Sequence, residues 1–395
     1  MGMKAPADLL SPDPYRPYLL VGHALALLVI ILSLGEFARN LAAPTSRDFV
    51  SFWGAARFAL DGTPALAYDR AALHALQINA AAFEPNTAMP FPYAPTLLLI
   101  IMPFALLPYP VAMALWALGT LGVYAMVARR FAPQSRWLAV AFPPAFAVMA
   151  IGQNGFVTAA LFMGGLVLLQ HKKKFAAGLV LGCLIIKPQL ALMLPVAMLA
   201  GREWRVIGGA MVSAPAVLLT GIIVFGPAAS VAWLDQMPLY VEIAQQGLVG
   251  WHKLVSVYAA ARQAGLSEAP AFALHCAAAV MAACLVFNIW RSDAEFARKA
   301  AVLGAATMLA SPYMYLYDAL VLFPAFVWLV QRRAPAALVG SLWLLPAVII
   351  AQTAYDTGPI NVAPLLPISL LALCHFWGRE RHPFPSPIRA VATNC

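Results

Sequence analysis

A few stretches of this sequence place acid–base or anion-binding groups amid otherwise apolar residues. Asp48 follows Ser46-Arg47 and precedes the apolar run that starts at Phe49. A carboxylate there can accept the proton of an incoming hydroxyl, the task of a general base, with Arg47 beside it as an anion partner. Asp is equally a favoured helix N-cap, and on position alone capping is the simpler reading. Lys187 is a lone cation in Gly182-Cys-Leu-Ile-Ile-Lys187-Pro188-Gln189. Burying a cation in hydrocarbon is costly without a partner, and a lipid phosphate would be one. A lysine snorkelling to the interface at a bend made by Pro188 explains it equally well.

Gly152-Gln153-Asn154-Gly155 offers the amides of Gln153 and Asn154 to sugar hydroxyls, as Gln189 does further along, although turn chemistry alone also explains this stretch. Trp251-His252-Lys253 supplies an imidazole as proton carrier or phosphate donor and an ammonium for an anion. Anchoring at a membrane interface is the plainer account of it. Ser311-Pro312-Tyr313-Met314-Tyr315-Leu316-Tyr317-Asp318 combines phenols with a carboxylate. An aromatic belt accounts for Tyr313 and Tyr317 but leaves Asp318 over. No stretch has the pattern of a Ser-His-Asp elbow, a glycine-rich phosphate loop or an HExxH helix. The five cysteines show no CxxC or metal-ligand spacing, so neither a disulfide framework nor a zinc site is expected, and no other stretch calls for a cofactor.

The elements that position these groups follow from composition. Of 395 residues, 63% are hydrophobic and 10% charged, against roughly one-quarter charged in a soluble domain. The apolar runs are continuous rather than alternating, which predicts an all-α, polytopic transmembrane helical bundle forming a single integral membrane domain over 1–395. Several runs fall short of the ~20 residues of an untilted span, so short, kinked helices bounded by some of the 32 prolines are expected. The net charge of +9 is not a nucleic-acid stripe, because the cations cluster at the ends of apolar runs.

Assigning loops alternately to two sides puts 18 cations and six acids on one side, and the remaining seven cations and ten acids on the other. The positive-inside rule makes the first side cytoplasmic. This arrangement needs about 12 spans with both termini inside, and it treats 94–107 as re-entrant or as a short helix that does not cross. Two long loops then face outward, 35–93 and 226–268. Phe49 to Leu60 is expected to be an interfacial amphipathic helix within the first. Gly178 and Gly182 read as a close-packing pair for a neighbouring helix.

Taken in order, several stretches resemble the family 87 glycosyltransferases, polytopic enzymes of the GT-C class. They are Arg47-Asp48-Phe49 with Ala67-Tyr68-Asp69, Phe91-Pro92-Tyr93-Ala94-Pro95, Gly152-Gln153-Asn154-Gly155, Lys187-Pro188, and Pro312-Tyr313 with Tyr315 and Tyr317-Asp318. The resemblance implies transfer of a sugar, mannose or a related hexose or pentose, from a polyprenyl-phosphate donor to an envelope glycan or glycolipid. It further implies Asp48 as base, Lys187 beside the lipid phosphate, and no metal, while the charge sorting puts the site on the periplasmic face of the inner membrane. His252 fits the family's second-loop pattern only loosely. A polytopic lipid or sugar transporter fits the composition as well, but the polar groups gather on one side and no internal repeat is visible. A non-catalytic membrane subunit of an envelope assembly complex would leave the Asp, Lys and Tyr-Asp groups unexplained.

Overall fold

The computed structural model describes residues 48–80, 89–248, 250–355 and 360–377, with scattered positions between 24 and 39. Arg47 and most of the first apolar segment lie outside the described residues. Within them the chain is helical, without strands, and one isolated bridge joins Leu254 to Tyr315. Among the described residues, three helices are long and apolar enough to cross a membrane: Tyr109–Phe131, Trp204–Gln245 and Glu268–Arg291. Eight shorter apolar segments accompany them, including Gly155–Gln170, Lys174–Ile186, Pro188–Ala200 and Leu316–Gln331.

The shorter segments are arranged as bends, and two of these are closed hairpins. Lys174–Ile186 runs to Lys187, and Pro188–Ala200 returns. The open ends are joined by an ion pair from Lys174 Nζ to Glu203 Oε2, 2.8 Å. Phe296–Thr307 and Leu316–Gln331 form the second hairpin, whose ends are joined by Arg332 Nη2 and Glu295 Oε1 at 2.6 Å. Each arm of the first hairpin reaches about 20 Å at ~1.5 Å per residue, short of a hydrocarbon core of ~30 Å. A charged tip on such arms must be enclosed by protein. Lys187 is 2% exposed and Asp318, at the tip of the second hairpin, 1%.

Small residues seat the first hairpin. A Cβ on Gly178 would meet the carbonyl of Val206, one on Gly182 would meet Ser213, and Gly209 opposite faces the backbone of Phe175. Helix Lys174–Gly182 thus lies backbone to backbone on Trp204–Gln245, the close approach that small residues permit.

Two segments differ from the sequence expectation. Phe49–Leu60 is a helix, but its first half is buried rather than interfacial. Phe49 stacks on Tyr109 and Trp116 with ring centroids 6.0 and 5.9 Å away, and Phe52 meets Phe91 and Tyr93 edge to face. Only Arg57 is charged among its twelve residues, so its polar face is too narrow for an interface. The chain from 89 to 107 wraps it. Ser51 donates to the carbonyl of Pro90, and Trp53 to that of Leu107. Within this wrap, Pro95–Leu106 is broken into short turns around Pro95 and Pro103. The second difference is at Gly226. The expected loop from 226 is instead helical to Gln245, with Gly226 at φ 77 and ψ 158 making a kink ahead of Pro227.

Candidate functional site

The bend at 152–154 connects helix Pro143–Ile151 to helix Gly155–Gln170. Gly152 has φ +70, and a Cβ there would stand 2.5 Å from Cβ of Phe49. A Cβ on Gly155 would meet the carbonyl of Tyr317. The two glycines let this bend wedge between the start of the Phe49–Leu60 helix and the Tyr-Asp tip of the second hairpin. Trp116 Nε1 holds it by donating to the Gly152 carbonyl at 2.9 Å.

Asp48 occupies the N-cap position but makes no side-chain cap bond. Its Oδ2 accepts from Gln153 Nε2 at 2.6 Å. The Gln153 Oε1 accepts in turn from Tyr93 OH at 3.3 Å and from the Asn154 N–H at 3.2 Å. Asn154 and Gln153 are 0% and 6% exposed.

Lys187 reaches the same bend from the first hairpin tip. Its Nζ donates to Asp318 Oδ1 at 2.5 Å, lies 3.5 Å from Asn154 Oδ1, and sits 4.6 Å from the ring centre of Tyr317. Asp318 Oδ2 accepts the N–H of Tyr315 at 3.3 Å, which fixes the carboxylate at the start of its own turn. Tyr315 stacks on Tyr317, 5.0 Å apart and 6° from parallel. A buried ammonium and carboxylate are each costly alone and tolerable as a hydrogen-bonded pair. Burial draws the ammonium of Lys187, which stands between two apolar segments, below its ordinary value, and the charge of Asp318 and its hydrogen bond push it back. Burial, then Asp318 and Asp48, raise the Tyr93 phenol, and burial with Asp48 and Asp318 raises that of Tyr315. Both therefore remain protonated donors.

Three bends and one helix start thus meet. The structure brings together Asp48, Gln153, Asn154, Lys187, Tyr317 and Asp318. Tyr313 points elsewhere, packing against Tyr258 at 6.5 Å. Gln189 is half-buried just past Lys187 on the turn Pro188–Ala191. His252 and Lys253 lie on the turn Trp251–Lys253, and the next residues run beside the Tyr-Asp tip. There Leu254 bridges Tyr315, Val255 N–H donates to the Met314 carbonyl at 2.6 Å, and Asn361 Nδ2 bonds the carbonyls of Trp251 and Leu254. Tyr93 joins the site although the sequence did not single it out, and so does Tyr315, which the sequence offered only as one of three phenols before Asp318. The signal was available, since each sits inside a stretch already marked by the family resemblance. A hollow of about 500 Å³ at the opposite ends of the helices is lined by Arg202, Trp290, Arg291, Asp293 and Lys299. It contains no buried acid–base pair, so the enclosed network is the better candidate for chemistry.

The model of glycosyltransferase family 87 matches residues 91–312. This interval contains Tyr93, Gln153, Asn154 and Lys187, while Asp48 precedes it and Asp318 follows it. No curated protein and no solved structure matches the chain.

Proposed function

The chain belongs to glycosyltransferase family 87 and is a membrane glycosyltransferase, and from that premise we propose that it moves a sugar, mannose or a related hexose or pentose, from a polyprenyl-phosphate donor to an envelope glycan or glycolipid. The reaction is assigned to the non-cytoplasmic face of the plasma membrane, in a bundle of about 12 spans, on the charge sorting of the loops. The observation that carries the reading is the carboxylate of Asp48, anchored by Gln153 on the same bend whose Asn154 meets the buried Lys187 cation.

In this reading Asp48 accepts the proton of the acceptor hydroxyl as its oxygen bonds to the sugar anomeric carbon. The bond from that carbon to the phosphate oxygen breaks on the opposite side, polyprenyl phosphate leaves with the electron pair, and the configuration inverts. Negative charge grows on the leaving oxygen, and a preplaced cation at low dielectric stabilises it. Lys187 is assigned this part, with Arg47 and Lys253 as further cations. Asp318 balances Lys187, and Tyr315 and Tyr317 with Asn154 supply polar contacts for the sugar. His252, Gln189 and Tyr313 are proposed as outer contacts to the substrates.

The test is a transfer assay with the purified protein, polyprenyl-phosphate sugars and candidate acceptors. The expected outcome is release of polyprenyl phosphate together with a new glycosidic bond of inverted configuration. Movement of the lipid-linked sugar across a sealed vesicle without any new bond would contradict the proposal.

A further inference from the structure

Gln153 makes a third layer of the site legible, beyond the base and the cation. Its amide cannot be turned around: Oε1 is claimed by two donors, Tyr93 OH at 3.3 Å and the Asn154 N–H at 3.2 Å. Flipping it would set N–H against N–H at Asn154. The remaining end, Nε2, therefore faces Asp48 Oδ2 at 2.6 Å as a donor, and this contact links positions 105 residues apart. A donor amide at that distance favours the ionised carboxylate over the acid, which is the form a general base needs. Gln153 itself sits on a bend clamped on both sides, by Phe49 against Gly152 and by Tyr317 against Gly155.

We infer that Gln153 is a positioning residue that holds the Asp48 carboxylate ionised and aimed, with Tyr93 and the Asn154 backbone fixing the sense of its amide, rather than a contact to the sugar. The inference deepens the proposed function and rests on Asp48 being the base. Among the described residues, the groups facing Asp48 and Gln153 include Tyr93 from the 89–94 segment, Lys187 from the first hairpin tip, and Tyr315, Tyr317 and Asp318 from the second. Lys187 faces this cluster with positive charge, Asp318 with negative charge, and the phenols as neutral donors.

The experiment is the pH dependence of kcat/KM for transfer from the polyprenyl-phosphate sugar by the full chain, measured for wild type, Gln153→Leu and Gln153→Glu. The base must be ionised, so activity is lost as pH falls through its apparent pKa. Gln153→Leu removes the donor, and the acid limb moves to higher pH. Gln153→Glu places a second carboxyl beside the first, so the limb moves further, by about one to three pH units. In Gln153→Leu, kcat falls on the order of 10²-fold, as expected for a misaimed group, while the donor KM stays unchanged. Tyr93→Phe leaves the Asn154 N–H to orient the amide, so its loss is several-fold smaller. Thermal unfolding of each variant accompanies the assay. If Gln153→Glu does not fold, the Gln153→Leu profile alone decides. An acid limb that does not move, or a raised KM at unchanged kcat, overturns the inference. An active Asp48→Asn would instead overturn the underlying reading. An inactive Asp48→Asn with an unmoved Gln153 profile removes the positioning role alone.

Discussion

Lys187 Nζ meets three neighbours, the Asp318 carboxylate, the Asn154 amide oxygen and the face of Tyr317. Lys187→Met would strand the Asp318 carboxylate in a buried position, a loss of roughly 3–5 kcal/mol. Thermal unfolding should show a large drop for Lys187→Met and recovery of most of it in Lys187→Met/Asp318→Asn. Equal losses in both would mean that the pair is not what holds the tips. If Lys187 faces the donor phosphate, Lys187→Met in the Asp318→Asn background raises the donor KM; a donor KM indifferent to that change removes Lys187 from phosphate binding. Lys187 stood out in the sequence as a lone cation among apolar residues. Asp318 stood out too, as a carboxylate that an aromatic belt leaves over, but their pairing did not, because the two lie 131 positions apart and only tertiary structure makes them neighbours. For Asp48 the position suggested a cap. The carboxylate bonds Gln153 instead, a choice that no local propensity encodes.

Glycines decide how the helical elements approach one another. Gly152→Ala would combine a left-handed backbone, costing about 1–2 kcal/mol for a residue with Cβ, with a clash on Phe49. The expected result is a loss of transfer activity on the order of 10²-fold, since Asp48, the proposed base, sits one residue before Phe49. Gly182→Leu should lower the unfolding midpoint strongly by levering the first hairpin off Trp204–Gln245, whereas Gly119→Ala, with nothing within 4 Å, should leave it unchanged or slightly raised. Comparable midpoints for the two would contradict the packing. The Lys174–Glu203 pair is partly exposed, so Lys174→Ala is worth under about 1 kcal/mol. The Gly178/Gly182 pair and the bends at 152–155, 187–189 and 311–318 were readable, because small residues and prolines interrupt apolar runs there. The helical stretch 227–245 was not, since Gly226-Pro227 looks like a terminus and serves as a kink. Phe49–Leu60 was readable as a helix but not as a buried one, because burial depends on the 89–107 wrap around it.

Across the whole molecule, the two ion-paired hairpin bases belong to the basic loop set and the charged tips to the other, so the charge sorting and the site share one axis. Cysteines placed at Lys173, Arg202 and Arg332 should therefore be labelled from the same side of the membrane, and a cysteine at Gln189 should not be reachable from that side. Labelling of Lys173 and Arg202 from opposite sides would break the hairpin. Composition made the membrane bundle legible, but span number depends on how short arms are enclosed, which periodicity does not report. If the converging tips serve the carboxylate of Asp48 as a general base, single-turnover sugar transfer by folded Asp48→Asn, set against wild type with the same polyprenyl-phosphate donor, is lost while donor binding is retained. Full transfer by Asp48→Asn would rule that role out.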